Sequence, residues 1–187
     1  MSRLSIVAVS GNTHRPSRTR FLVEAIAAEV GGWRSIDLDV FDLLDIGEDI
    51  GAFSRDALAP RAAAVIHAIE AADGLIVGSP VYKGSYTGLF KHLFDLVEPK
   101  ALAGKPVIAS ATGGGHRHAL VIEHQFRPLF GFFGAQTVPT AVYAGGEDFA
   151  DGALSPQLQQ RIADAAFEFD RLLSLGKADR RPVARVA

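Results

Sequence analysis

The chain has 187 residues, 48% of them apolar, and a formal net charge of −2 from 19 basic and 21 acidic side chains. This length suits one domain whose core needs no metal or disulfide, and the balanced charge disfavours a nucleic-acid binder, which needs a basic face. No apolar run approaches the ~20 residues of a membrane span, the first strand begins too early for a signal peptide, and cysteine is absent. We therefore expect a cytoplasmic protein with neither a thiolate metal site nor a cysteine nucleophile.

Apolar, strand-like runs alternate with amphipathic, helical runs along the chain. The predicted strands are Leu4–Val9, Ser35–Leu43, Gly74–Val77, Pro106–Ala111 and Gln136–Tyr143. The predicted helices span residues 21–30, 57–72, 89–97, 118–133 and 155–175. We expect Gly31-Gly32 to end the first helix, Pro128 to bend the fourth, and Ser155-Pro156 to open the last. Residues 44–54, which are acidic and contain two glycines, should form a loop.

This alternation predicts an α/β fold of three layers, in which helices cover both faces of a doubly wound, five-stranded parallel sheet. We expect a single domain over residues 1–176. Residues 177–187 are basic and should form a loose tail. The acidic residues between Asp37 and Asp49 are interpreted as a solvated strand face and loop.

Three loops follow the carboxyl ends of predicted strands, where ligands bind in doubly wound folds. They are Ser10–Thr19, Pro80–Tyr86 and Thr112–His116. The first leads into a helix N-terminus, and its small polar residues, together with Arg15, Arg18 and Arg20, predict a phosphate cradle. It is neither a Walker loop nor a dinucleotide fingerprint. The alternative is an ordinary strand-to-helix turn in which a serine only caps the helix.

The second and third loops have the composition of a site for a planar, heterocyclic ring. In the second loop Pro80 fixes the backbone, Tyr82 and Tyr86 offer flat apolar faces, and two glycines allow close approach of a ligand. The alternative is a surface turn with two partly buried tyrosines. The third loop, residues 112–116, can surround a ring edge with backbone N–H groups, or it is a flexible connector.

The segments SGNTHRPSRT, GSPVYKGSYTG and ATGGGH resemble the flavodoxin-like NAD(P)H-dependent FMN reductases, and within them the alkanesulfonate and methanesulfonate branch. The likeness runs from Leu4 to about Tyr143. It implies a flavodoxin-like fold, reduction of FMN by NADH or NADPH, and delivery of reduced FMN to a partner sulfonate monooxygenase. No acid–base residue is expected, because the flavin itself carries the reaction.

The same resemblance implies three groups of FMN-binding residues. The phosphate would be held by Ser10, Asn12, Ser17, Arg18 and Thr19. The isoalloxazine ring would be lined by Pro80, Val81, Tyr82 and Lys83. Its other edge would be closed by Thr112, Gly113, Gly114 and Gly115. Within the second group, Tyr82 and Lys83 are expected to position the ring, so that proximity of two flat rings supplies most of the rate.

The resemblance also singles out His124. It implies that His124 is an extra residue in the fourth helix, which would widen that helix into a π-bulge at a subunit contact. A homodimer or homotetramer through this helix is then expected, and a histidine at this position favours the methanesulfonate type. The alternative is an ordinary surface histidine.

Other chemistries are less consistent with the sequence. The spacing of His116, His118 and His124 matches no metal-ligand pattern, so no metal site is predicted. Neither Ser10 nor Ser79 lies in a G-x-S-x-G motif. Two other functions stay open, a flavin-retaining quinone, azo or chromate reductase and a non-catalytic electron carrier, although flavodoxin carriers are usually strongly acidic. One methionine and no cysteine would suit a protein made when sulfur is scarce.

Overall fold

A parallel sheet with strand order β2-β1-β3-β4-β5 forms the middle layer of the computed structural model, which describes residues 3–150 and 152–178. Its strands are β1 (Leu4–Ser10), β2 (Ile36–Asp42), β3 (Gly74–Pro80), β4 (Pro106–Thr112), β5 (Gln136–Thr137) and β6 (Val142–Ala144). β5 and β6 both pair with β4. A short antiparallel hairpin of β7 (Phe149–Ala150) and β8 (Ala153–Leu154) follows. The order 2-1-3-4-5 is that of flavodoxin-like folds, so the predicted fold class is confirmed.

Helices cover both faces of this sheet. They are α1 (Arg18–Trp33), α2 (Leu43–Ile46), α3 (Pro60–Ala71), α4 (Gly88–Asp95), α5 (Arg127–Phe132) and α6 (Pro156–Ala178). One apolar cluster packs α3, α4 and α5 against one face, and a second packs α1 and α6 against the other. The first cluster is rich in phenylalanine, with the rings of Phe90 and Phe94 4.9 Å apart. Within the described residues, no helix is both long and apolar enough to cross a membrane.

Two predicted boundaries around β2 are wrong. Helix α1 continues through Gly31-Gly32 to Trp33, whose ring packs 5.4 Å from that of Phe167 on α6, so a tertiary contact decides where the helix ends. The stretch 44–54, predicted as loop, contains α2 and a 3₁₀ turn at Gly47–Gly51. Helix α2 forms because an aspartate at the end of β2 caps it in a reciprocal capping box.

The predicted last strand, 136–143, is divided into β5 and β6. Pro139 lies in the gap and has no N–H to donate to the sheet. The carbonyl groups in the gap are satisfied by Arg127, whose guanidinium donates to Val138 O at 2.8 Å and Pro139 O at 2.5 Å. Within the described residues, the predicted fifth strand therefore consists of two segments, both of which pair with β4.

The predicted helix 118–133 is built from a 3₁₀ turn at His116–His118, a π-helical turn at Ile122–Phe126, and α5. In the π turn Arg127 N donates to Ile122 O, five residues back. In an α-helix the ring of Pro128 would collide with the carbonyl group four residues before it, and the wider turn avoids this clash. The π distortion expected at His124 is therefore confirmed.

The start of the last helix is also confirmed. Ser155 Oγ accepts a hydrogen bond from Leu158 N at 3.2 Å, and Pro156 is the first helical residue. The first two residues of the predicted tail, 177 and 178, continue this helix. The rest of the predicted tail, 179–187, lies outside the described residues.

Candidate functional site

The three loops predicted to form a site meet at the carboxyl edge of the sheet. Gly11 N donates to Gly78 O at 2.7 Å, and Thr87 Oγ1 donates to Gly11 O at 3.0 Å, which joins the first loop to the second. Val81 N donates to Thr112 O at 2.8 Å, which joins the second to the third. The sequence-predicted residues are therefore brought together in one region.

The five residues predicted for a phosphate divide into an outer and an inner set. Ser17 caps α1, its hydroxyl group accepting from Arg20 N at 3.3 Å, and Arg18 is exposed. Ser10, Asn12 and Thr19 are buried beneath them. Their side chains bond within the protein: Ser10 Oγ donates to Asn12 Oδ1 at 2.5 Å.

The inner set also connects the first loop, which follows β1, with the third loop, which follows β4. The hydroxyl groups of Thr19 and Thr112 are 2.6 Å apart and share a hydrogen bond, which fixes the start of α1 against the third loop. The inner residues therefore shape the first loop, while the exposed guanidinium of Arg18 and the N-terminus of α1 face outward.

The predicted positive charge of the first loop is largely neutralised. Arg15 donates from Nε and Nη2 to the two carboxylate oxygens of Asp42, both at 2.7 Å. Arg20 Nη1 donates to Asp42 Oδ2 at 2.9 Å, and both arginines also pair with Asp45. Among the described residues, Arg18 is the one arginine of the three without a carboxylate partner.

The interpretation of the acids between residues 37 and 49 as solvated is wrong for Asp42, whose side chain has no exposed surface. Asp42 also accepts from Asn12 Nδ2 at 3.1 Å and from the backbone N–H groups of Leu44 and Asp45. The sequence does carry a signal for this position, since an aspartate that ends a strand and precedes another acid by three residues is a capping-box pattern.

Burial alone would raise the pKa of the Asp42 carboxyl group, but hydrogen bonds from Arg15, Asn12 and Arg20 outweigh burial and hold its pKa far below the ordinary value. The hydrogen bond to Asp42 correspondingly raises the pKa of Arg15. A carboxyl group with a lowered folded-state pKa stabilises the fold above its unfolded pKa, and this contribution is lost as the pH falls.

We predict the consequence for Asp42→Asn. At pH 7 the variant should unfold with a free energy about 1–2 kcal/mol lower than the wild type, because charged hydrogen bonds are weakened. The difference should stay constant above about pH 5 and shrink as the pH falls below about 4, the ordinary range of an aspartate. Urea denaturation of both proteins across pH 7 to 3 measures it. A difference that grows at low pH would contradict the assignment.

The second loop turns sharply at Lys83-Gly84. Tyr82 and Ser85 exchange two backbone hydrogen bonds, at 2.9 and 3.2 Å, and both central residues have positive φ, +54° at Lys83 and +86° at Gly84. This is a type I′ turn. A lysine in the left-handed region is strained by about 1–2 kcal/mol, and such strain concentrates at functional sites.

The two tyrosines of this loop differ. Tyr82 is 46% exposed, so its ring is accessible from the surface. The ring of Tyr86 is half-buried: it packs 5.4 Å from that of Phe126 and 5.7 Å from that of Phe90, and burial raises the pKa of its hydroxyl group. Ser85 Oγ donates to Gln125 Oε1 at 3.1 Å, which connects this loop directly to the π turn.

The third loop is held by Tyr143. Gly113 N donates to Ala144 O at 3.0 Å, and Tyr143 Oη donates to Gly115 O at 2.6 Å. A Cβ atom at Gly113 would overlap the Tyr143 hydroxyl group, whereas one at Gly114 would meet nothing within 4 Å. Gly113 is therefore required by the close approach of this tyrosine.

A fourth loop, Gly145–Asp148, follows β6 at the same edge, and it was not predicted from the sequence as part of the site. A Cβ atom on Gly146 would lie 3.6 Å from Arg18 Nη1, so this loop borders the outer face of the first. His116 Nε2 and Glu147 Oε1 are 2.6 Å apart, which links the third and fourth loops. Two glycines directly after a strand at the ligand-binding edge were the available signal.

In residues 3–150 and 152–178, no three histidine, aspartate or glutamate side chains are grouped to hold a metal ion. A cavity of about 380 Å³ lies beside β2, away from the second and third loops. It is lined by Arg20, Val40, Phe41, Asp45, Arg61, Ala64 and Val65.

Residues 4–150 match the protein family described as NADPH-dependent FMN reductase. The chain is 48% identical to the NADH-dependent FMN reductase SfnF of Pseudomonas fluorescens strain Pf0-1, over the full length of both. It is 50% identical to an FMN reductase (NADPH) of Pseudomonas aeruginosa, over 88% of this chain and 90% of that one. An oxidoreductase structure from Corynebacterium diphtheriae, 32% identical, superposes with a TM-score of 0.82 over 92% of this chain and 98% of that chain. The chain belongs to the family of NADPH-dependent FMN reductases.

Proposed function

We propose that this NAD(P)H-dependent FMN reductase takes up FMN as a diffusible substrate and releases reduced FMN to a flavin-dependent sulfonate monooxygenase. Arg18 carries this proposal: it is exposed at the Ser17-capped N-terminus of α1 and has no carboxylate partner in the part of the chain that the structure describes. The sulfonate partner is supported by the likeness to the sulfonate-utilising branch. The relatives include reductases named for NADH and others named for NADPH, so either dinucleotide fits. A reaction that draws on these dinucleotides also supports a cytoplasmic location.

The residues present fit FMN. A phosphate dianion suits the N-terminus of a sixteen-residue helix, which is capped by Ser17 and begins at the exposed Arg18. Ser10, Asn12 and Thr19 would shape this loop from beneath. The turn from Pro80 to Lys83 would lie against the ring, and the loop from Thr112 to Gly115 would close its other edge.

When bound, FMN accepts the hydride of the reduced nicotinamide. The chain's own contribution is orientation. The exposed Tyr82 and the strained Lys83 would hold the ring in place, and Gly113 and Gly114 would let the backbone approach its edge. No side chain has to donate or remove a proton at carbon, so a site without an acid–base pair suffices, and proximity accounts for most of the rate.

Loose flavin binding is expected from the same geometry. Arg15 and Arg20 are occupied by carboxylates, so one guanidinium instead of three is available for the phosphate. The loops also open to the surface at Arg18 and Tyr82, which are both exposed. Modest affinity suits a protein that must release its product to another enzyme.

Steady-state oxidation of NADH and NADPH, with and without added FMN, tests this proposal. We expect a rate that requires added FMN and saturates with it. A protein that purifies yellow and reduces quinones without added flavin would instead be a flavin-retaining reductase. A protein that oxidises neither dinucleotide would be an electron carrier.

We also propose that the chain self-associates through the helix around the π turn. Four of the exposed residues on this segment stand four positions apart, namely Leu120, His124, Pro128 and Phe132, and Glu123 and Gly131 are exposed as well. Leu120 is 64% exposed and Phe132 is 72% exposed, and two large apolar side chains exposed on the same helical segment are typical of an interface, whereas a single one is ordinary. Because Ser85 contacts Gln125, such an interface would adjoin the second loop of the site.

We therefore predict that Phe132→Glu dissociates a dimer or tetramer into monomers, because a charge would be buried without a partner at the contact. Light scattering on a sizing column measures the mass. Phe53→Glu is the matched control, since Phe53 is a single apolar side chain that is 99% exposed outside this helix, and this variant should keep the wild-type mass. A monomeric wild type, or an unchanged mass for Phe132→Glu, would contradict the proposal.

A further inference from the structure

We propose that Asp42 is a positioning residue, which holds the first loop in the shape that accepts the FMN phosphate without touching FMN itself. The inference rests on the proposed function, in that it places the phosphate at the loop between β1 and α1. Asp42 lies at the end of β2, in a stretch that has no other assigned part in the site.

The Asp42 carboxylate joins three segments of the chain. From the first loop it accepts hydrogen bonds from Asn12 Nδ2 at 3.1 Å and from Arg15 Nε and Nη2 at 2.7 Å. From α1 it accepts from Arg20 Nη1 at 2.9 Å. From the start of α2 it accepts from Leu44 N at 3.0 Å and Asp45 N at 3.2 Å. The Asp42 side chain is fully buried, so its carboxylate is shielded from solvent.

Asn12 extends this hydrogen-bond network along the first loop. Its amide nitrogen donates to Asp42 and also to His14 O at 3.0 Å, while its amide oxygen accepts from Ser10 Oγ. The backbone between Ser10 and the cap residue Ser17 is thus fixed from below at several points. A loop that is ordered before FMN arrives loses less conformational entropy when the phosphate binds.

A neutral residue at position 42 has two opposing effects. It loosens the loop, which weakens phosphate binding, and it frees positive charge, which would strengthen phosphate binding. The gain in free positive charge is limited, because both arginines retain other ion pairs. Arg15 still pairs with Asp45 at 2.6 Å, and Arg20 still pairs with Glu24 at 2.8 Å and with Asp45 at 3.2 Å. Loss of order therefore dominates, and affinity for FMN should fall.

The test compares FMN with riboflavin, which has the same ring but no phosphate, by flavin fluorescence quenching. For Asp42→Asn we expect the Kd of FMN to rise about tenfold, as for the loss of one charged hydrogen bond, while the Kd of riboflavin changes less than about threefold. Asp37→Asn is the matched control. It lies on the same strand, and its pair with Arg3 is exposed on both sides, so both Kd values should stay at wild type.

The possible results distinguish the proposed phosphate site from the positioning role of Asp42. If the wild type binds riboflavin as tightly as FMN, the phosphate does not bind at this loop, and both ideas fail. If the wild type prefers FMN and Asp42→Asn keeps that preference, or binds FMN more tightly, only the positioning role fails. An equal loss for both flavins indicates a general structural role and also overturns it. Should Asp42→Asn not fold, Arg20→Met, which removes one partner of Asp42, should reduce the preference for FMN by a smaller factor.

Discussion

Replacing Arg18 by glutamine raises the KM for FMN by about 10- to 100-fold and leaves kcat nearly unchanged. A charged hydrogen bond to a phosphate contributes about 1.5–3 kcal/mol, and at Arg18 no carboxylate among the described residues competes for it. Its guanidinium lies 5.6 Å from the ring centroid of Phe149, which keeps the side chain beside the N-terminus of α1. Because the phosphate lies away from the reacting ring, the loss should appear in binding rather than in the chemical step.

Riboflavin distinguishes loss of the phosphate contact from general damage. The wild type should turn over riboflavin with a higher KM than FMN, and Arg18→Gln should bring the two KM values together. Arg3→Gln removes the same charge near the start of β1, at the opposite edge of the sheet, and should leave both KM values unchanged. If Arg18→Gln keeps the wild-type KM for FMN, the phosphate is held elsewhere.

The sequence predicts the layers of this fold well because their cause is local. Strands such as Leu4–Ser10 and Pro106–Thr112 are short apolar runs between turn residues, and each run by itself indicates a buried strand. Boundaries are harder where a distant residue decides them. The contact between Trp33 and Phe167 joins residues far apart in the sequence and carries α1 through two glycines that locally favour an end.

The positions of the three site loops could be predicted for the same reason, since loops after parallel strands must meet at one edge. Their electrostatics could not. Arg15 and Asp42 are 27 residues apart, and nothing in either segment alone indicates that the pair forms. A count of arginines in the first loop therefore overestimates its free charge, and only the structure separates Arg18 from Arg15 and Arg20.

Replacing Gly113 by alanine should lower the free energy of unfolding by about 2–3 kcal/mol, the upper part of the range for a side chain forced into a packed region. The new methyl group would overlap the hydroxyl group of Tyr143. Either the tyrosine moves and gives up its hydrogen bond to Gly115 O, or the third loop shifts away from β6. Both responses deform the edge proposed to contact the flavin ring, so FMN reductase activity should fall as well. Thermal unfolding should show a decrease of about 5–10 °C in Tm.

Two further variants identify the tyrosine as the cause. Gly114→Ala makes the same chemical change one residue along, where a Cβ atom meets nothing within 4 Å, and its Tm should stay close to wild type. In the double variant Gly113→Ala with Tyr143→Phe, the overlapping oxygen is gone and the nearest ring carbon would lie 3.2 Å away, a distance that a small shift relieves. The double variant should therefore be less destabilised than the sum of the two single variants. Equal Tm values for Gly113→Ala and Gly114→Ala would show instead that the third loop adapts freely, and that Tyr143 does not set its shape.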